Sequence, residues 1–262
     1  MVYLPPTTVF AILGFLFGAC IGSFLNVCIY RLPGGRSLAW PPSHCPSCSH
    51  PIRFYDNVPI VSYLILMGKC RHCRGTISPR YPLVEAITGL AAAATVVRFG
   101  VTLPALVYFV FIAALIVVTF IDIDTQRIFD VITLPGILIG VLSAAILPKM
   151  GIVDALLGAL VGGGSLYLVA WMYIAIKKQE GMGGGDIKLL AMIGAFLGWK
   201  GVIMTIFVGS VTGTVAGLLQ MTIGRRLDGR LRIPFGPFLA IGAVTYLFYG
   251  DELFHWYLTL FR

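Results

Sequence analysis

The sequence predicts an all-α polytopic membrane protein of about eight transmembrane helices carrying one small polar insert. Three observations predict this class. Of 262 residues, 58% are hydrophobic and only 11% are charged, whereas soluble domains carry about 25% charged residues. Mean hydropathy is +0.92, so the bilayer is the natural solvent for the chain. The apolar residues also fall in runs broken by Pro, Gly and charge, and several approach the roughly 20 residues that a spanning helix needs.

In chain order the runs place spans near 9–30, 83–99, 104–121, 131–147, 152–176, 187–199, 201–223 and 233–250. The sixth is short and meets the seventh almost directly, so their division is open. The start, Met1 to Thr8, lacks the basic region of a signal peptide, and Val9–Ile29 is expected to remain as a permanent span. Residues 31–82 are polar and rich in Pro and Cys, and their longest apolar piece, Val58–Met67, is about half a membrane thickness. The organisation expected is a first helix over 1–30, an extramembrane insert over 31–82 and a membrane-embedded domain over 83–262. No internal repeat is visible.

The net charge of +8 raises nucleic acid as a partner, but no aromatic-interleaved basic stretch or nucleic-acid motif accompanies it. The cations instead follow the positive-inside bias. With the N-terminus outside, fifteen of the 19 Lys and Arg residues fall on cytoplasmic segments. They are Arg31, Arg36, Arg53, Lys69, Arg71, Arg74, Arg80, Arg127, Lys177, Lys178, Lys188, Arg225, Arg226, Arg230 and Arg232. Arg98, Lys149, Lys200 and Arg262 fall outside. Both termini are therefore expected outside and the insert inside, with the lipid bilayer and no nucleic acid as partner.

Cys45-Pro-Ser-Cys48 and Cys70-Arg-His-Cys73 are separated by the 21 residues 49–69. Each C-x-x-C closes a turn that points two thiolates inward, and two such turns complete a tetrahedron around zinc. A reducing cytoplasm disfavours disulfides, and a redox C-x-x-C would need only one pair. Four thiolates leave no open coordination position, so the metal is read as structural. The insert thus becomes a small cytoplasmic zinc-binding insert. His44, His50 and His72 lie close by but are not needed. Cys20 and Cys28 sit within the first span as small apolar packers.

Acids number only 11, which makes their placement informative. Asp122 and Asp124 close the third span in Phe120-Ile-Asp-Ile-Asp-Thr-Gln-Arg-Ile128. Asp186 opens the sixth in Gly181-Met-Gly-Gly-Gly-Asp186-Ile-Lys188. The topology brings both segments to the cytoplasmic border. Two carboxylates sharing a site do not both ionise easily, so one can act as acid and the other as base on a water. Glycines 183–185 would admit a close backbone approach. Against this, Asp186 is also well placed as a helix cap, and Asp122 and Asp124 as plain interfacial residues. Residues two apart on a helix point about 200° apart, so only one of Asp122 and Asp124 can face Asp186.

These pieces in order resemble the type IV prepilin peptidases, also called leader peptidase/N-methyltransferases, over nearly the whole chain. Gly22-Ser-Phe-Leu-Asn-Val27 with Arg31-Leu-Pro33 resembles the family's opening motif. The paired cysteines, Asp56-Asn-Val-Pro-Ile60, Ser62-Tyr63 and Gly68-Lys-Cys70 resemble its cytoplasmic domain. Ser78-Pro-Arg-Tyr-Pro-Leu-Val-Glu85 resembles the entry to its second span. Gly183-Gly-Gly-Asp186 fits the G-x-G-D signature of membrane aspartic proteases. The sequence departs from the family at Ile128-Phe129-Asp130, where Ile-Pro-Asp is common.

The resemblance implies Asp122 and Asp186 as the catalytic pair, with Asp124 the runner-up, and makes 83–262 an aspartic protease domain. It implies a bacterial inner-membrane enzyme whose active site faces the cytoplasm. Such an enzyme removes the basic leader of prepilins or pseudopilins in the membrane, as in type IV pilus or type II secretion systems. It then methylates the new N-terminus with S-adenosylmethionine, whose binding residues are unknown. Asn57, Gly68 and Glu85 lie where the family's cytoplasmic motifs concentrate, and read equally as two turn residues and a first-turn helix acid. The rival functions are a proton-coupled transporter, a presenilin-like intramembrane protease, and a peptidase without the methyltransferase. The transporter predicts mid-membrane acids and repeated halves, and the presenilin-like reading leaves the cysteine insert unexplained.

Overall fold

The computed structural model describes residues 6–147, 150–178, 183–224 and 234–260. Among them every regular element is helical: α1 (Pro6–Arg31), α2 (Val61–Ile65), α3 (Arg80–Phe99), α4 (Leu103–Thr125), α5 (Asp130–Ser143), α6 (Ile152–Lys177), α7 (Gly184–Gly224) and α8 (Gly236–Leu260). Five of these (α1, α3, α4, α6 and α7) are long and apolar enough to cross a membrane, while α5 and the apolar part of α8 are shorter. The chain forms two compact units that divide within α4, after Val117.

Each expected span falls on one of these helices, the sixth and seventh joining in α7, and the short α2 lies in the insert where no span was expected. Gly198 interrupts α7 with φ 70° and ψ 178°, a conformation open to glycine and closed to most residues. The division left open by the sequence therefore falls at Gly198. The fourth run was expected to span 131–147, but α5 stops at Ser143 after 14 residues. The chain beyond it continues as tight turns, in which the Ala144 N–H donates to the Val141 carbonyl and the Ile146 N–H to the Ser143 carbonyl. Hydropathy alone extends the run through Ile146 and Leu147, which lie in those turns rather than in the helix. Ile233, Lys149, Arg225, Arg226, Arg230, Arg232 and Arg262 lie outside the described residues, as do Gly181 and Met182.

In the first unit α1 packs along α3 through glycine. A Cβ at Gly18 would lie 2.6 Å from that of Ala92, and one at Gly22 would lie 2.7 Å from the Cα of Glu85. Backbones approach this closely only over small residues, and that packing substitutes in lipid for a hydrophobic driving force. Two buried polar groups finish the helix ends. Asn26 donates to the Tyr81 carbonyl at 3.1 Å, and Arg31 donates to the carbonyls of Ser37, Leu38 and Pro41. Arg31 thereby turns the chain out of α1 into the insert while keeping its buried charge satisfied.

In the second unit α6 and the first arm of α7 meet glycine to glycine. A Cβ on either Gly158 or Gly194 would fall inside the other's backbone. Leu189, Leu190, Met192 and Ile193 are fully buried, which fixes the rotation of this arm and hence the aim of its first residues. Lys188 pairs with Asp130 at 2.7 Å, joining the first turns of α7 and α5.

Candidate active site and metal centre

Asp122 lies in the last turn of α4, which ends where Gln126 takes φ 53° and donates its N–H to the Asp122 carbonyl. The Asp122 side chain is 4% exposed, whereas Asp124 faces out. This is the separation that helical geometry requires of residues two apart. Asp186 lies in the first turn of α7, half-buried. The Asp122 carboxylate lies within electrostatic range of it. The structure thus buries Asp122 within electrostatic range of Asp186 and leaves Asp124 exposed on another face of the helix.

One partner was not foreseen. The backbone N–H of Gly236 donates to Asp122 Oδ2 at 2.9 Å, in a buried bond between the start of α8 and the end of α4. A Cβ at 236 would lie 2.8 Å from that same oxygen, so only glycine lets the backbone come so near. The first N–H groups of a helix have no intrahelical acceptor, and a carboxylate there is also favoured by the helix dipole. The sequence signal is Pro234-Phe-Gly-Pro-Phe238, a glycine between two prolines at a helix start, which periodicity and charge do not single out.

The glycines before Asp186 divide in role. Gly184 faces open space, but a Cβ at Gly185 would meet the Ile128 side chain at 2.7 Å. Gly185 is therefore closed by packing and not available to an approaching chain, contrary to the expectation for all three glycines. Phe129, in the position where proline was expected, is extended and leads into α5.

In the insert, the two C-x-x-C turns are structural copies. Cys45 N–H bonds to the His50 carbonyl and Ser49 N–H to the Cys45 carbonyl; Cys70 N–H bonds to Gly75 and Arg74 N–H to Cys70. Ser49 and Arg74 occupy the same left-handed position, at φ 57° and 60°. The turns bring the four sulfurs of Cys45, Cys48, Cys70 and Cys73 within 4.8 Å of one another. The Cys45 and Cys73 sulfurs are 3.9 Å apart. A zinc–sulfur distance of about 2.3 Å gives a tetrahedral edge of about 3.8 Å, so the donor set fits that ion. Burial raises the Cys45 thiol, but the backbone N–H groups of Cys48 and Ser47 and the Cys70 and Cys48 thiols outweigh it, bringing Cys45 down to about 6.

His44 contacts the Pro42 carbonyl at 3.2 Å, and His50 stacks on His72 with centroids 4.3 Å apart. The four-sulfur set is complete without the histidines. Cys20 and Cys28 lie on α1, away from the cluster in the chain.

Of the three further insert positions, Gly68 has φ 67°, and a Cβ there would press on the Tyr63 hydroxyl at 2.9 Å. Asn57 is exposed on a short 3-10 turn. Glu85 is buried on α3 and accepts the Ile60 N–H at 2.7 Å. Asp56 accepts from Arg71 at 2.6–3.0 Å, tying the segment between the cysteine pairs to the second pair.

Comparison with known proteins places the whole chain. Residues 16–99 match the Bacterial Peptidase A24 N-terminal domain, and residues 109–218 match the Type IV leader peptidase family. The chain is 36% identical to the prepilin leader peptidase/N-methyltransferase of Pseudomonas aeruginosa, over 95% of this chain and 93% of the relative. It is equally identical to proteins of the same name from Stutzerimonas stutzeri, over 97% and 95%, and Aeromonas hydrophila, over 94% and 93%. No solved structure matches. With relatives this similar along almost its full length, the chain belongs to the type IV leader peptidase family.

Proposed function

We propose that this membrane enzyme removes the leader peptide of prepilins and methylates the N-terminus so exposed, with Asp122 and Asp186 as the aspartate pair of the peptidase. The observation that carries the aspartate assignment is the burial of Asp122 at the end of α4, held by the Gly236 N–H, in the same compact unit as Asp186 in the first turn of α7. The names of the relatives support both activities. A transporter is not favoured by membership of a leader peptidase family.

The residues supply a complete acid–base pair. Gly236 occupies Oδ2 of Asp122 and so orients its carboxyl, leaving Oδ1 to act on a water. Two carboxylates that share a site do not both ionise easily, so one stays protonated and the other is the base. The base takes a proton from water as its oxygen attacks the scissile carbonyl. The acid then protonates the departing amine, and the peptide C–N bond breaks.

In this reading the pair faces the cytoplasm, where the basic leader lies, with both termini outside. The distribution of Lys and Arg supports that orientation. Cys45, Cys48, Cys70 and Cys73 hold a structural zinc, supported by the fit of the sulfur cluster. S-adenosylmethionine is the methyl donor that the second activity implies, and no residue of this chain is assigned to it.

The test is cleavage of a prepilin by purified protein in lipid, comparing wild type with Asp122→Asn, Asp186→Asn and Asp124→Asn. Leader removal by wild type and Asp124→Asn alone is expected. Cleavage that survives Asp122→Asn would transfer its role elsewhere.

A further inference from the structure

The apolar piece Val58–Met67 lies apart in the chain from both the aspartate pair and the four cysteines, and the structure gives it an unusual setting. It forms the short helix α2 and its flanks, and presents a run of large apolar side chains outward. Leu64 is 67% exposed, Ile65 69% and Met67 79%, with Val58 and Val61 also exposed. Only small parts of this segment turn inward: Ser62 is buried, accepting the Val58 N–H and donating to the Tyr55 carbonyl. In water such a surface would be costly, at roughly 25 cal/mol for each Å² left wet.

Its level relative to the bilayer follows from one bond. The Ile60 N–H, at the start of α2, donates to Glu85 Oε2 at 2.7 Å. Glu85 lies five residues along α3, a helix apolar and long enough to cross a membrane, about 7.5 Å of helix rise from its first residue, Arg80. The start of α2 is therefore held beside the second turn of a helix long and apolar enough to cross a membrane. Leu83 and Ile87, on the same stretch of α3, are themselves exposed.

Charge agrees. Exposed cations Arg53, Lys69 and Arg74 flank the segment in the chain. The one acid near it in the insert, Asp56, is already engaged by Arg71. Apolar side chains bordered by cations are the composition of an interfacial segment on an anionic lipid surface, and an apolar run of this length suits an interfacial segment better than a span.

We propose that Val58–Met67 is a lipid-contacting anchor: its outward side chains enter the headgroup and acyl-chain boundary and hold the cysteine-bearing insert against the membrane. The proposal does not depend on the peptidase assignment.

The test uses the full-length protein in vesicles of phosphatidylglycerol and phosphatidylethanolamine. A dansyl amino acid is placed singly at Leu64, Ile65, Leu83 or Ser49. Brominated acyl chains should quench the probes at Leu64 and Ile65 as strongly as the probe at Leu83. Aqueous iodide should quench only the probe at Ser49, beside the first cysteine pair. If the Leu64 and Ile65 probes behave like the Ser49 probe, the proposal is overturned. If neither quencher reaches them, a protein surface such as a second copy covers the face, which also overturns it. Unlabelled wild type gives a second reading free of substitutions. A lipid with an acyl-chain diazirine should modify peptides covering 58–67 on photolysis, and their absence among the adducts would be equally decisive.

Discussion

Gly236 holds Asp122: its backbone N–H lies 2.9 Å from Oδ2, and a methyl group in place of its hydrogen would lie 2.8 Å from that atom. The contact joins the last turn of α4 to the first turn of α8, residues 114 positions apart.

Gly236→Ala should displace the Asp122 carboxyl and lower kcat about 100-fold, the scale of an ångström-sized misplacement of a reacting group. KM and thermal stability should change little. Gly164→Ala, where a Cβ meets open space, is the matched control and should retain full activity. Wild-type turnover by Gly236→Ala would show that the bond does not position the carboxyl.

Glu85→Ala should loosen the insert without touching the aspartate pair. It leaves the partly buried Ile60 N–H without its acceptor, a loss of about 1 kcal/mol. Limited proteolysis within 31–79 should accelerate, while leader cleavage per intact molecule should hold. An unchanged proteolysis rate would mean that Ile60 finds another acceptor.

The insert should also lose stability in acid through Asp56. The Arg71 guanidinium beside it holds the Asp56 carboxyl below the usual carboxylate range. A carboxyl lowered on folding contributes stability that is present above its unfolded value. That contribution fades as pH falls through the lowered folded value. Asp56→Asn should therefore be less stable than wild type near neutrality and show a smaller loss on acidification. Parallel acid-unfolding curves for the two proteins would remove Asp56 as the cause.

Purified protein should contain one zinc per chain by elemental analysis. Cys45→Ser or Cys73→Ser should lose it, and Cys20→Ser and Cys28→Ser should keep it. Chelation should expose the insert to protease without directly altering the aspartate pair. Full zinc content in Cys45→Ser would point to a different ligand set.

Much of this molecule is legible in its sequence because each signal is local. Bilayer thickness fixes how long a spanning run must be, so composition and run length gave the class and nearly every helix. C-x-x-C is a complete turn in four residues, so both cysteine turns could be read, and their copies appear at Ser49 and Arg74. What spacing could not supply was the end of α5 or the fate of Gly185. Ile146 and Leu147 are as apolar in a turn as in a helix, and nothing near Gly185 in the chain announces that Ile128 fills its space.

The sequence by itself determined that the chain lives in lipid, that four thiols form one cluster, and that acids gather at two helix ends. Helical geometry even required that Asp122 and Asp124 face apart. Only the tertiary structure decided which of them is buried, because that depends on the rotation of α4 within its neighbours. It alone placed Gly236 on Asp122 and Ile60 on Glu85. Both are bonds donated by a backbone N–H to a carboxylate, and a backbone N–H is the same at every non-proline residue, so the donor's sequence cannot reveal its partner.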